Sequence, residues 1–126
     1  MKNQIKVLVV EDHPIAQRIA VIVLNTLACE VDIAKNGIEA LELFDKNHYD
    51  LIFMDIGLPD MSGLVVTANI RTKENKLNSV PVVGLTAHSN EEIRLEAIKV
   101  GMNDFLAKPL TKENCSTILN KFVYKK

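Results

Sequence analysis

The chain has 126 residues and a mass of 14.1 kDa; 48% of residues are hydrophobic, 25% are charged and the formal net charge is -1. That size carries one domain with a core of its own, and that balance supplies no overall field for nucleic acid or an anionic membrane surface. With no Trp and 5% aromatic residues, platforms for stacking bases are scarce.

The opening "MKNQIKVLVVED" predicts a strand over Ile5–Val10 that ends in the acids Glu11 and Asp12, rather than a secretory leader. Pro14 suits a first helical turn, and Ile15, Ile19, Ile22, Val23 and Leu27 are predicted as the inward stripe of that helix. The run "IAVIVL" at 19–24 is far short of a membrane span. A weaker strand is predicted over Glu30–Ala34. "NGIE" at 36–39 then predicts a helix capped by Asn36, with Glu39 three residues on. The third strand is Leu51–Met54, with Asp55 directly behind it, and Ser62 caps a helix bearing Val65, Val66 and Ile70. "RTKENKLNS" at 71–79 reads as a helix end and polar loop. A fourth strand is predicted over Pro81–Leu85, followed by a helix with the capping box "SNEE" at 89–92 that stops at Gly101. A fifth strand, Asn103–Ala107, leads to a last helix capped by Thr111, with Cys115, Ile118, Leu119 and Phe122 on one face. Cys29 and Cys115 belong to no CxxC or Cys/His cluster and read as buried apolar residues of a reducing compartment.

Five such βα units predict a parallel sheet with right-handed crossovers, covered by helices on both faces. In that architecture ligands sit beyond the carboxyl ends of the strands. Glu11, Asp12, Asp55, Thr86 and Lys108 all stand at those ends, Lys108 preceding Pro109. Singly each has an ordinary reading: an acid capping the next helix, a strand-end hydroxyl, a solvated lysine. Together they form a chemical set. Carboxylates gathered at one point repel unless a cation joins them, and oxygen donors suit Mg²⁺. Lys108 supplies a cationic donor for an anion and Thr86 a hydroxyl. Asp55 has the character of a nucleophile, since Asp carboxylates form aspartyl-phosphates.

"VLVVEDHP", "YDLIFMDIGLPDMSG", "PVVGLTAHS" and "GMNDFLAKPL" resemble, in order and spacing, the receiver domain of two-component response regulators, over essentially residues 1–126. The resemblance implies a flavodoxin-like (βα)5 doubly wound sheet, strand order 2-1-3-4-5, in a single domain. It implies that Asp55 accepts a phosphoryl group from a phosphohistidine on a partner, a histidine kinase core or a histidine phosphotransfer domain. It implies Mg²⁺ held by Glu11, Asp12, Asp55 and the Gly57 carbonyl, with Thr86 and Lys108 on the phosphoryl oxygens and a cis Lys108–Pro109 bond. In the family's switch Thr86 moves toward the phosphoryl group, and Phe105, at the aromatic switch position, turns inward and reshapes the surface of the fourth helix, fifth strand and fifth helix. Gly57 and His88 take positions bordering the path of attacking water; His13 and His48 read as structural or solvated.

The chain is therefore expected to be a signalling domain rather than a conventional enzyme, cytoplasmic, without direct contact to nucleic acid or membrane. A flavin module would want a phosphate-cradling loop where "EDHP" stands. An aspartate-nucleophile phosphatase would typically carry a second acid at Gly57. Two origins stay open: a segment of a hybrid sensor histidine kinase, which "MDIGLPDMSG", "GLTAHS" and "GMNDFLAKPL" most resemble, and a stand-alone regulator acting by protein contact.

Overall fold

The computed structural model describes residues 4–74, 79–87 and 91–124. Strands and helices alternate as β1 (Ile5–Val10), α1 (Pro14–Thr26), β2 (Cys29–Ala34), α2 (Gly37–Lys46), β3 (Leu51–Asp55), α3 (Gly63–Lys73), β4 (Val82–Thr86), α4 (Glu91–Val100), β5 (Asp104–Ala107) and α5 (Lys112–Leu119). A π-helical turn, Asn120–Tyr124, prolongs α5. The strands pair in parallel in the order β2-β1-β3-β4-β5, the flavodoxin-like topology that the sequence predicts.

Successive strand residues serve opposite layers, which is why β1, β3 and β4 are apolar throughout. Leu8, Val10, Ile52, Met54 and Val82 pack with Ala40 of α2, Val66 and Ile70 of α3, and Ala97 of α4. Val7, Val9, Leu51, Phe53, Val83 and Leu85 pack with Ala20 and Leu24 of α1 and with Cys115, Ile118 and Leu119 of α5. Cys29 and Cys115 are free thiols in that second layer, and burial pushes the Cys115 thiol up to about 12.

The phase of α1 differs from the expected stripe. Ile15 is 74% exposed and Ile22 62%, while the fully buried positions are Ala20 and Leu24. Apolar side chains ring most of this helix, so hydrophobic spacing alone leaves its rotation open; the sheet selects the face where small Ala20 lets the backbones approach. Val65 is also exposed on α3, by about half. Strand ends move by one residue: β3 takes in Asp55 and β4 takes in Thr86, with Pro81 outside because it has no N–H for the ladder.

Caps follow the sequence. Asn36 accepts from the Glu39 amide, Ser62 from Leu64 and Thr111 from Asn114. Gly101, at φ 110°, ends α4 in a Schellman arrangement, with Gly101 N–H donating to Ile98 and Met102 N–H to Ala97. Ser89 and His88 lie outside the described residues, as do positions 75–78 of the polar loop.

Arg71 closes the opposite rim. Its guanidinium donates to the Gly101 carbonyl at 3.0 and 2.8 Å, to Val80 O at 2.8 Å, to Asn103 Oδ1 at 2.9 Å and to Glu74 Oε1 at 2.7 Å. Replacing Arg71 with Met keeps the stem but strips these bonds and leaves the Glu74 side chain, 6% exposed, without its cation. The expected loss is about 2 kcal/mol, read as a lower urea midpoint with unchanged slope.

Candidate functional site

The carboxyl ends of β1, β3, β4 and β5 bring the predicted polar residues together. Glu11 follows β1 and is 2% exposed, Asp55 ends β3 at 3%, and Thr86 ends β4 at 8%. Thr86 pairs with Ala107 across the β4–β5 ladder, and its carbonyl accepts from Lys108 N–H at 3.0 Å, so register alone carries Lys108 to the site. The Lys108 ammonium lies 3.1 Å from Glu11 Oε1 and 3.0 Å from Asp55 Oδ2. The Lys108–Pro109 peptide bond is cis.

Two oxygens bear on what this arrangement can hold. Asp12 Oδ1 and Asp55 Oδ2 are buried, and of the two only Asp55 Oδ2 has a cation beside it, the Lys108 ammonium at 3.0 Å. Buried carboxylate oxygens are costly to desolvate. Asp12 does not cap α1 either: the N-cap residue is His13, with no side-chain cap bond, and it is Glu11 Oε2 that accepts from His13 N–H at 3.1 Å. The other Asp55 oxygen, Oδ1, accepts from Gly57 N–H at 3.0 Å. An all-oxygen donor set of buried carboxylates fits a hard divalent cation such as Mg²⁺.

Electrostatics follow from the crowding. Burial pushes the Glu11 carboxyl above its ordinary value, helped by the charge of Asp55 and opposed by the His13 amide and Lys108. Burial pulls the Lys108 ammonium down, but its bonds to Asp55 and Glu11 outweigh this and hold it above its ordinary value. A group raised in the folded state contributes stability below its unfolded value and loses it as pH rises through the folded one. Glu11 therefore stabilises the metal-free protein only on the acid side. Removing Lys108 takes away one of the influences that oppose the rise. Lys108→Met is expected to cost about 2 kcal/mol near neutrality, because Glu11 and Asp55 then face each other without a cation. The cost should shrink as the solution is acidified and the raised Glu11 protonates. Melting curves in EDTA across that fall in pH check it, and a pH-independent loss contradicts it.

Phe105 is 8% exposed, so its ring is already turned into the core; the inward swing implied by the resemblance has no outward starting point here. It lies over Gly84, where an added Cβ would meet Met102 Sδ at 2.7 Å and the ring at 3.3 Å. The Arg94 guanidinium of α4 covers it, 5.4 Å from the ring centre. His13 and His48 are exposed, as expected. Sequence reading missed Asp60, whose two oxygens accept from Gly37 and Ile38 N–H at 2.8 and 3.0 Å and tie the loop after β3 to the start of α2. Those donors hold its carboxyl below the ordinary range. Among the described residues no helix is long and apolar enough to cross a membrane.

Known proteins share this arrangement. The family model of the response regulator receiver domain matches residues 7–120. Transcription factor SKN7 of Chaetomium thermophilum is 42% identical over 118 residues, 92% of this chain and 15% of that protein. Hybrid signal transduction histidine kinase L of Dictyostelium discoideum is 38% identical over 122 residues, 93% of this chain and 7% of that protein. The chain thus spans a small part of these curated relatives. Among solved structures, the receiver domain of sensor histidine kinase PA1611 from Pseudomonas aeruginosa PAO1 superposes with TM-score 0.88 at 33% identity, covering 98% of this chain and 100% of that one. It carries a magnesium ion coordinated in its active site cleft. Chemotaxis protein CheY4 of Vibrio cholerae superposes with TM-score 0.89 at 27% identity, covering 96% and 100%. On its strand order, its strand-end chemistry and these matches, the chain belongs to the response regulator receiver domain family.

Proposed function

We propose that residues 1–126 form one phosphoacceptor domain of a two-component phosphorelay, with Asp55 taking the phosphoryl group from a phosphohistidine on a partner. The observation that carries this reading is the Lys108 ammonium within 3.1 Å of both Glu11 and Asp55, at the carboxyl ends of the strands. An Asp55 oxygen attacks phosphorus, the imidazole nitrogen of the donor leaves with the bonding electron pair, and an acyl phosphate results. The Gly57 amide orients the carboxylate for that attack through Oδ1. Lys108 and the Thr86 hydroxyl hold phosphoryl oxygens, Lys108 releasing its contact with Asp55 to do so. Glu11, Asp12, Asp55 and the Gly57 carbonyl would hold Mg²⁺, which would supply charge to offset that of the phosphoryl oxygens.

Loss of the phosphoryl group is self-catalysed. Gly57 presents no side chain against attacking water, and an added Cβ would meet nothing nearer than Asp55 Oδ1 at 3.9 Å. Phosphorylation adds roughly -1.5 to -2 charges. That charge draws Thr86 and biases the surface built by α4, β5 and α5, with Phe105 already inward. The partner is a histidine kinase core or a histidine phosphotransfer domain, and the parent protein a hybrid sensor histidine kinase, a reading supported by likeness to such kinases. We assign the chain to the cytoplasm; free, buried Cys29 and Cys115 suit a reducing compartment.

Labelling with radioactive acetyl phosphate tests the chemistry. A hydroxylamine-labile label should appear with Mg²⁺ and vanish in EDTA. Absence of label under both conditions overturns the proposal.

A further inference from the structure

The loop that follows β3 is braced from outside the site. It starts with Gly57 N–H on the Asp55 carboxylate and ends with Gly63 N–H on the Ile56 carbonyl at 2.9 Å. Between these anchors side chains hold it. Leu58 is buried in the layer under α2 and α3, and Met61 packs against that layer. Asp60 is the polar tie. Its carboxylate forks onto α2, accepting from Gly37 N–H through Oδ1 at 2.8 Å and from Ile38 N–H through Oδ2 at 3.0 Å. Those first-turn amides have no acceptor inside the helix, and the helix dipole favours an anion there. Asn36 takes the next one, Glu39 N–H, at 2.8 Å. The loop comes close enough to require glycine: a Cβ on Gly37 would lie 2.6 Å from Met61 Cγ and 2.8 Å from Val66 Cγ2. The same segment braces the other flank, where the Ala34 carbonyl accepts from Glu11 N–H at 2.9 Å. Residues 34–38 thus reach from Glu11 to the loop that carries Gly57.

We propose that Asp60 is a positioning residue: by clamping the loop to α2 it fixes Gly57 relative to Asp55 and Glu11, and so sets how tightly the site binds a divalent cation and how readily Asp55 accepts a phosphoryl group. The inference rests on the phosphoacceptor reading above. Asp60 acts through the chain and not on the ligand. Only Leu58 and Pro59 separate it from Gly57, and Leu58 is buried, so a shift at the fork moves the Gly57 peptide. That peptide orients Asp55 Oδ1 through its N–H and offers its carbonyl as the proposed ligand. Mg²⁺ demands near-octahedral geometry, so a displaced ligand weakens binding more than it weakens the fold. Without the fork, the Gly37 and Ile38 amides turn to water and the loop loses its polar tie to α2.

Calorimetric titration of the metal-free full chain with Mg²⁺, and amide hydrogen exchange at Gly57 in EDTA, test the assignment. Wild type is compared with Asp60→Ala, Asp60→Asn and Asn36→Ala. Asp60→Asn drops the charge but keeps one acceptor, and Asn36→Ala weakens the same helix terminus while leaving the fork in place. Asp60→Ala should bind Mg²⁺ about tenfold more weakly than wild type, Asp60→Asn about threefold, and Asn36→Ala within about twofold. The Gly57 amide should exchange faster, and acetyl phosphate labelling at saturating Mg²⁺ should slow, in the same order. Wild-type Mg²⁺ affinity in Asp60→Ala overturns the proposal and leaves the phosphoacceptor reading intact. Equal losses in Asp60→Ala and Asp60→Asn also overturn it, because the charge would then act through its field alone. An equal loss in Asn36→Ala does the same, tracing the effect to helix stability. If wild type neither binds Mg²⁺ nor takes label, the phosphoacceptor reading falls and this inference with it.

Discussion

Asp55→Asn is expected to abolish labelling by acetyl phosphate while leaving the protein folded. The reason is local. An amide oxygen at this position still accepts from the Gly57 N–H at 3.0 Å, so the loop after β3 keeps its anchor. The nucleophilic carboxylate is gone, and so is one of the charges that draw a divalent ion. Two changes in stability oppose each other. Lys108 loses one of its two acidic neighbours, and Glu11 loses the charge that helps to raise its carboxyl. The net change in melting free energy should stay within about 1 kcal/mol, because Lys108 retains Glu11 at 3.1 Å. Label on the Asp55→Asn protein would move the acceptor elsewhere; a collapse in stability would recast Asp55 as a structural residue.

Gly63→Ala should produce the largest loss of stability of any methyl-sized change in this chain. Gly63 opens α3 and turns its N–H to the Ile56 carbonyl at 2.9 Å. A Cβ there would overlap the Asp55 carbonyl oxygen and come within 3.0 Å of the Asp55 carbonyl carbon and the Ile56 Cα. Those are backbone atoms at the end of β3, which pairs with β1 and β4, so no side chain can swing aside. Either α3 withdraws from the sheet or Asp55 is pushed off its position. The expected cost is about 3 kcal/mol or more. Denaturant unfolding reads the first outcome, and slower acetyl phosphate labelling of the folded fraction reads the second. Wild-type values for both measurements would show that the α3–β3 junction yields to an added methyl group.

Much of this is legible in the sequence, and the reason is physical. Solid apolar runs bounded by acids, glycine and proline mark strands covered on both faces, and the capping side chains Asn36, Ser62 and Thr111 act on amides within three residues. Parallel pairing then places every strand-end side chain on one rim, which brings Glu11, Asp55, Thr86 and Lys108 together. What escapes is non-local or lacks a periodic signature. Asp60 reaches α2 across 23 positions and Arg71 reaches Gly101 across 30, and nothing near either residue announces its partner. The rotation of α1 escapes because apolar residues on opposite sides of a helix leave its hydrophobic direction open. Spacing alone turns Ile15 and Ile22 inward, whereas both face solvent.

The burial of Phe105 has a consequence for recognition. With the ring sunk over Gly84, what stands above it is the guanidinium of Arg94. A molecule approaching this flank from solvent meets a planar cation where an outward phenyl ring would have offered a greasy handle. Its complement is an acidic or carbonyl-rich surface, and the affinity of such an encounter falls as ionic strength rises.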